Sequence, residues 1–320
     1  MPTFTLKQLR YFDAALRNGS IARAAAEMNI SQSSITAAID ALEAVVGAEL
    51  FRRVPARGIT PTETGRAVGR LVAEFLDRAR LLEGELASFA GAPRGTLRIA
   101  CYAPTAPHVL PPLLTRLSAA HPSIRVDLRE GDMREVAQFL ATGAVDLALT
   151  YRRNLPSDRN FLGLVRCRPY ALLPASAPLA RKPAVTLAEL APLPMVLLDL
   201  AATERYFLDI FRAVGLEPRV VHTTKSSSVL RGLVAANFGY SILNICGPAD
   251  RRGDQGWVAR PILGALDEPQ YGIAYSAGAE RTALVRAVLR IGAQLAAEGT
   301  FDHLVMRPED APAPAPPIPT

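Results

Sequence analysis

Apolar residues recur at steps of three and four near the start of the chain, at Leu6, Leu9, Phe12 and Leu16, which predicts a helix over residues 5–17 with one apolar stripe. Asn18 and Gly19 end it, and Ser20 is placed to cap a second, alanine-rich helix from Ile21 to Met28. Ser31 caps a third helix, in which Ile35, Ile39, Leu42 and Val46 fall within roughly 60° of one another at about 100° per residue and so face inward. The opposite side presents Ser33, Ala37, Asp40 and Ala44, with Gln32 and Thr36 on its flank. A helix that meets only water ordinarily shows Lys and Glu there. Short side chains let a helix sink into a DNA major groove, where hydroxyl and amide groups near its N-terminus reach phosphates and base edges. An alanine-rich helix packed on both faces is the plain alternative.

Gly47 is a C-cap, and the segment "GAELFRRVPARGITPTETG" then sets Arg52, Arg53 and Arg57 around Pro55 and Gly58. This predicts a short hairpin, or wing, with phosphate-binding charge beside the third helix; a solvated loop is the alternative. Thr62 and Glu63 after Pro61 start a longer helix whose apolar residues Val68, Leu71, Phe75, Ala79, Leu82, Leu86 and Phe89 step by 3, 4, 4, 3, 4, 3. That spacing is close to a coiled-coil seam. Over residues 62–89 it spans ~40 Å at about 1.5 Å per residue, and it predicts a homodimer joined through this helix. The alternative is a helix packed on its own domain.

From "GAPRG", a break at 91–95, the period changes. Strand-like "TLRIACY", "IRVDLREG" and "VDLALTY" alternate with helix-like "HVLPPLLTRLSAAHP" and "MREVAQFLATG", which predicts a mostly parallel sheet flanked by helices. Such sheets bind ligands beyond the carboxyl ends of their strands, here at 102–105, Gly131 and Asp132, and Thr150 and Tyr151. A similar unit fills residues 168–244, and "QYGIAYSA" with the helix "RTALVRAVLRIGAQLAAEG" returns at the end. A unit entered and left by two crossings makes a two-lobed clamp, with one lobe from 95–164 and 266–300, the other from 165–265, and a pocket between them. Residues 303–320, ending "RPEDAPAPAPPIPT", are expected to form a disordered Pro/Ala-rich tail.

Composition narrows the classes. A chain of 320 residues with 49% hydrophobic content suits two or three globular domains. There is no run of eighteen apolar residues and no signal-peptide pattern in "MPTFTLKQLRYF", so no membrane partner and a cytoplasmic location are expected. Cys101, Cys167 and Cys246 are far apart and predict buried thiols, and the four histidines form no metal-binding spacing, so neither metal nor cofactor is expected. The net charge is +6, but the local charge is more telling: seven arginines face three acids between Phe51 and Arg80.

The run "LKQLRYFDAALRNGSIARAAAEMNISQSSITAAIDALEAVVGAELFRR" followed by "RGITPTETG" resembles the LysR-type transcriptional regulators in order and spacing. The resemblance implies an N-terminal all-α winged helix-turn-helix over 1–61, a linker helix over 62–90, and a C-terminal α/β domain over 91–302 similar to type II periplasmic binding proteins. It places Gln32, Ser33 and Thr36 in the groove and Arg53 on the wing, within a DNA-binding set of Ser20, Ser31, Gln32, Ser33, Thr36, Ala37, Arg52, Arg53 and Arg57. Ala37 and Ala38 stand where many members carry Arg and Gln, which shifts weight to shape readout. "LVAANFGYSILN" stands where the family has a Val-Ala-x-Gly-x-Gly pattern, with Asn237 replacing one usual glycine.

Mapped this way, the effector candidates are Tyr102, Thr105, Gly131, Asp132, Thr203, Thr224 and Ser226. Converging helix N-termini and hydroxyls favour a carboxylate-bearing effector. Asp132 repels such an anion, which leaves an amide, an amine or a neutral ring as alternatives, and Lys225 is either a compensating cation or solvated. Thr203 and Ser226 also read as simple helix caps. The resemblance further implies a homotetramer built as a dimer of dimers, an inverted-repeat promoter as partner, and control of RNA polymerase access. Two other classes remain: a solute carrier, opposed by the helical front end, and an α/β enzyme, for which no Gly-x-Ser-x-Gly elbow or phosphate-cradling loop is present.

Overall fold

The computed structural model describes residues 4–54, 58–88, 93–157, 159–200, 202–276 and 278–310, and the chain divides into two compact units at residues 89/90.

The first unit is helical. α1 (Leu6–Asn18) begins with a reciprocal cap in which Thr5 and Gln8 satisfy each other's backbone amides, and α2 (Ile21–Met28) and α3 (Gln32–Val46) start on Ser20 and Ser31. Phe12, Ile35 and Leu50 are fully buried at the centre, and alanines 15, 24 and 38 let the three helices approach closely. Val46 departs from the expected inward stripe: it is 39% exposed, because it lies in the last turn of α3, which the described residues of this unit leave uncovered. Strands β1 (Phe51–Val54) and β2 (Gly58–Pro61) pair antiparallel, with Arg52 opposite Thr60. Glu43 of α3 anchors the hairpin by accepting from the amides of Leu50 (2.7 Å) and Phe51 (3.3 Å).

α4 (Glu63–Ser88) follows. Two glycines seat it on the body. A Cβ at Gly65 would lie 1.9 Å from the Leu50 carbonyl oxygen, and one at Gly69 would lie 2.4 Å from a methyl of Leu16. Only glycine permits the first contact, because the obstacle is backbone.

In the second unit, β3 (Gly95–Tyr102), α5 (Ala106–Ala120), β4 (Ile124–Gly131), α6 (Met133–Ala141) and β5 (Leu147–Tyr151) wind in alternation. β6 (Asn160–Arg166) then leads to the second lobe, which holds β7 (Tyr170–Pro174), α7 (Leu187–Leu190), β8 (Pro194–Leu198), α8 (Thr203–Arg212), β9 (Arg219–Thr224), α9 (Ser227–Ala235), β10 (Ser241–Leu243), α10 (Pro248–Arg252) and β11 (Trp257–Pro261). β12 (Gln270–Tyr275) and α11 (Ala283–Ala297) return to the first.

The first-lobe sheet has the order β4-β3-β5-β12-β6, and the second lobe has β10-β7-β11 and β8-β9. The mostly parallel expectation holds, with one strand reversed in the first-lobe sheet and β8 parallel to β9 in the second lobe. β3 runs parallel to β4 and β5, but β12 is antiparallel to β5 and β6, and β7 is antiparallel to β10 and β11. The outgoing and returning crossings run in opposite directions, so the strands they deliver do too. Between lobes they touch: the Cys167 amide donates to the Pro269 carbonyl at 3.0 Å, and Arg168 reaches Glu268 at 2.7 Å.

The disordered tail expected from His303 onward is corrected. After α11 the chain crosses between the lobes a third time, back into the second, where Leu304, Val305 and Met306 are buried and Met306 joins the core around Tyr170, Leu172 and Leu230. The Cys246 amide donates to the Leu304 carbonyl at 2.7 Å, and Arg251 donates to the carbonyls of His303 and Val305. The signal missed was the apolar run "LVM", hidden beside the proline-rich end. Residues 311–320 lie outside the described residues.

Candidate nucleic-acid interface and ligand cleft

On α3, Ser31, Gln32, Ser33, Ala37, Asp40 and Ala44 are exposed and Thr36 is half-buried, so nothing described in this unit covers the slim face. Ser31 accepts from the Ser34 amide at 3.3 Å and shares 2.9 Å hydrogen bonds with the hydroxyls of Ser33 and Ser34. The Thr36 hydroxyl donates back to the Gln32 carbonyl at 3.1 Å, which fixes its rotamer. The amides of the first turn, at Gln32 and Ser33, have no intrahelical acceptor and suit an anionic oxygen. Ser20 is half-buried and spends its hydroxyl on the Arg23 amide at 3.4 Å, so it holds α2 in place. Arg52 is exposed on β1. Arg57 and the side chain of Arg53 lie outside the described residues.

The second constellation is the cleft between the lobes of the second unit. Tyr102 at the end of β3 and Thr203 at the start of α8 share a 2.8 Å hydrogen bond across it, 101 residues apart in sequence. Thr105 shares a 2.7 Å bond with the buried Tyr271 hydroxyl. These three candidates, Tyr102, Thr105 and Thr203, line the cleft. Burial pushes the Tyr102 hydroxyl well above its ordinary pKa, with the bond from Thr203 opposing and the Asp132 charge adding to the shift, so Tyr102 is a neutral phenol.

The other four candidates are not among the lining residues. Asp132 caps α6, accepting from the amides of Arg134 (2.8 Å) and Glu135 (2.9 Å), and Gly131 lies buried behind it. The Thr224 hydroxyl accepts from the Ser226 amide at 3.2 Å, and Ser226 accepts from the Val229 amide at 3.3 Å. Lys225 is exposed and outside the lining.

Sequence reasoning missed Arg153, Tyr206, Ser227, Arg231 and Asn244 of the lining. Arg153 was within reach of the strand-end rule, since it follows β5 by two residues. Asn244 likewise follows β10. Arg231 was not, because only its partner explains it: its Nε and Nη2 grip Asp250 at 2.8 and 2.7 Å. Burial alone would raise the Asp250 carboxyl, but hydrogen bonds from Arg231, Tyr170 and Trp257 outweigh it and hold the pKa below its ordinary value. Ala202 lines the cleft at a left-handed φ of 67°, as does Asn237 at 66° elsewhere on the lobe. Asparagine tolerates that region better than other non-glycine residues, which accounts for its place in "ANFG".

Counted to its open mouth the cleft encloses about 490 Å³, of which about 30 Å³ admits the centre of a water-sized sphere. It is therefore nearly shut. The three cysteines are buried, and burial pushes Cys101 and Cys167 up to about 12, so their thiols stay protonated. Among the described residues no cluster of potential metal ligands occurs, and no helix is long and apolar enough to cross a membrane.

Two family descriptions match the chain: "Bacterial regulatory helix-turn-helix protein, lysR family" over residues 6–66 and "LysR substrate binding domain" over residues 90–296. The uncharacterized HTH-type transcriptional regulator YnfL of Escherichia coli is 32% identical over 266 residues, covering 79% of this chain and 86% of that protein. YvbU of Bacillus subtilis, described in the same terms, is 25% identical over 240 residues, covering 75% and 81%. Among solved structures, the LysR family regulator HinK of Pseudomonas aeruginosa superposes with a TM-score of 0.59 at 28% identity, covering 91% of this chain and 98% of that one. A full-length OxyR variant from Pseudomonas aeruginosa gives 0.70 at 19% identity, with 91% and 98% covered, which speaks for the fold alone.

Proposed function

Because the chain belongs to the LysR family of transcription regulators, we propose that α3 enters the major groove of an inverted-repeat promoter while the wing grips the flanking phosphates. The family's members are DNA-binding, effector-responsive and oligomeric regulators, not enzymes. What supports the groove reading most is the exposed strip of small side chains on α3 beside the exposed Arg52. Ser31, Gln32, Ser33, Thr36 and Ala37 then meet base edges and backbone; Arg52, Arg53 and Arg57 meet phosphates; and Ser20 positions α2. The reader takes residues 1–61 and the linker 62–90, and the protein acts in the cytoplasm.

The stripe on α4 supports a homodimer. Leu71, Phe75, Leu82 and Leu86 are 67%, 49%, 55% and 59% exposed, an apolar seam left uncovered among the described residues of its own unit. Two such dimers pair into a homotetramer. A small effector enters the cleft at Tyr102, Thr105 and Thr203, and the helix starts fixed by Gly131, Asp132, Thr224 and Ser226 move with the lobes around it. Closing on the effector shifts the balance between two arrangements of the DNA readers and so RNA polymerase access; a coupling of about 1–3 kcal/mol suffices.

Fluorescence anisotropy on promoter fragments across a salt series tests the division of roles. Arg53→Ala weakens every site and flattens the salt slope by about one unit, whereas Thr36→Val alters preference among sequences. If both substitutions act alike, the division is wrong.

A further inference from the structure

The cleft also carries information about the charge of what it binds, an inference that rests on the effector reading above. We infer that its effector is an uncharged, ring-bearing small molecule with a hydroxyl or carbonyl oxygen, and not a carboxylate. Three observations lead there.

The first is that every cation described in the lining already has an acid partner. Arg231 is gripped by the buried Asp250 through two nitrogens, and its third donates to the Ser227 carbonyl at 3.2 Å. Arg153 pairs with Asp267 at 2.8 Å and lies over the Tyr206 ring at 3.9 Å from its centroid. Each guanidinium meets a ligand already paired with an acid, and the further charge felt at Tyr102 is the negative one of Asp132. An anion entering here loses its hydration and gains no net attraction.

Second, the polar groups facing each other across the cleft are neutral hydroxyls. The Tyr102–Thr203 hydrogen bond occupies the place where a ligand must sit, since the remaining free space holds only a few water molecules and a benzene-sized ring needs a cavity of about 150 Å³. A ligand opens that bond, leaving one hydroxyl on each lobe to be satisfied. A hydroxyl or carbonyl oxygen on the ligand satisfies both, and it draws the lobes together through the ligand in place of the direct contact.

Third, the walls are aromatic and aliphatic. The Tyr102 and Tyr151 rings meet edge to face at 5.9 Å, Tyr206 and Phe207 lie at 5.2 Å, and Leu198 and Leu243 complete the surface. Ring faces and edges of this kind favour a planar apolar body.

Ligand-observed NMR on the full-length protein at pH 7 tests this with matched pairs: benzyl alcohol and benzamide against benzoate, and 2-phenylethanol against phenylacetate. The same pairs are run on Ser227→Trp and Pro104→Trp, which fill the cleft from opposite lobes. The neutral members are expected to bind at least tenfold more tightly than the acids, and to lose that binding in both filled variants. Acids that bind as well as their neutral partners, and are displaced by the same substitutions, overturn the inference about charge and leave the cleft as the effector site. No binding by any pair, or binding indifferent to both substitutions, overturns the cleft reading itself and this inference with it.

Discussion

Removing the Asp250 carboxylate is expected to be among the most damaging single changes in the second unit. Its side chain is 2% exposed and accepts four hydrogen bonds: two from Arg231, one from the Tyr170 hydroxyl at 2.7 Å and one from the Trp257 indole at 2.9 Å. In Asp250→Ala the Tyr170 hydroxyl keeps the Ile245 carbonyl at 3.1 Å and Arg231 keeps only the Ser227 carbonyl at 3.2 Å, while the two Arg231 nitrogens that gripped the carboxylate and the Trp257 indole lose their acceptor. Breaking a buried pair from one side costs about 3–5 kcal/mol, roughly a fifth or more of the 5–15 kcal/mol that holds an ordinary domain. Urea unfolding followed by tryptophan fluorescence reads it, because Trp257 is the only tryptophan in the chain and lies in the second lobe.

The double change Arg231→Met with Asp250→Leu is expected to recover at least half the loss, since it removes both charges at once. There is a pH counterpart. The folded pKa of Asp250 lies below the unfolded value of about 3.9, so its stabilisation is complete at neutral pH and disappears as pH falls through that value and on to the folded one. Asp250→Asn flattens this acid limb. A cost under about 1 kcal/mol for Asp250→Ala, or an unchanged acid limb in Asp250→Asn, refutes the reasoning.

Gly65→Ala forces a Cβ into the Leu50 carbonyl oxygen and is expected to destabilise the first unit by about 1–3 kcal/mol in thermal melts followed by circular dichroism, whereas Gly69→Ala meets only a movable leucine methyl and costs less. Met306→Ala is expected to cost about 2–5 kcal/mol by the same tryptophan fluorescence, because Met306 is buried in the second-lobe core. A value below about 0.5 kcal/mol shows that the chain beyond α11 does not dock there.

The helical front end was legible in the sequence because its determinants are local. Ser20 and Ser31 cap the helices they announce, and Ile35, Ile39 and Leu42 are buried as the 3.6-residue period requires. Periodicity reports a face but not how far the neighbouring elements extend, which is why Val46 was misplaced. The cleft was only partly legible. Strand ends led to Tyr102 and Thr105, while Asp132, Thr224 and Ser226 turned out to serve helix starts, since hydroxyl and carboxylate residues before a helix look alike whether they cap it or touch a ligand. Arg231 and Asp250 stand nineteen residues apart, and nothing in a linear pattern joins them. The docking of Met306 was hidden by its composition, because three apolar residues beside a proline-rich stretch carry no period of their own.

The central claim is that the slim face of α3 meets DNA. Ala37→Trp tests it most directly, because Ala37 is exposed and the change leaves folding stability within about 0.5 kcal/mol of the parent. Anisotropy with a promoter fragment at physiological salt is then expected to show loss of specific binding, by a hundredfold or more, with the melting temperature unchanged. Unaltered promoter affinity in a folded Ala37→Trp protein contradicts the account.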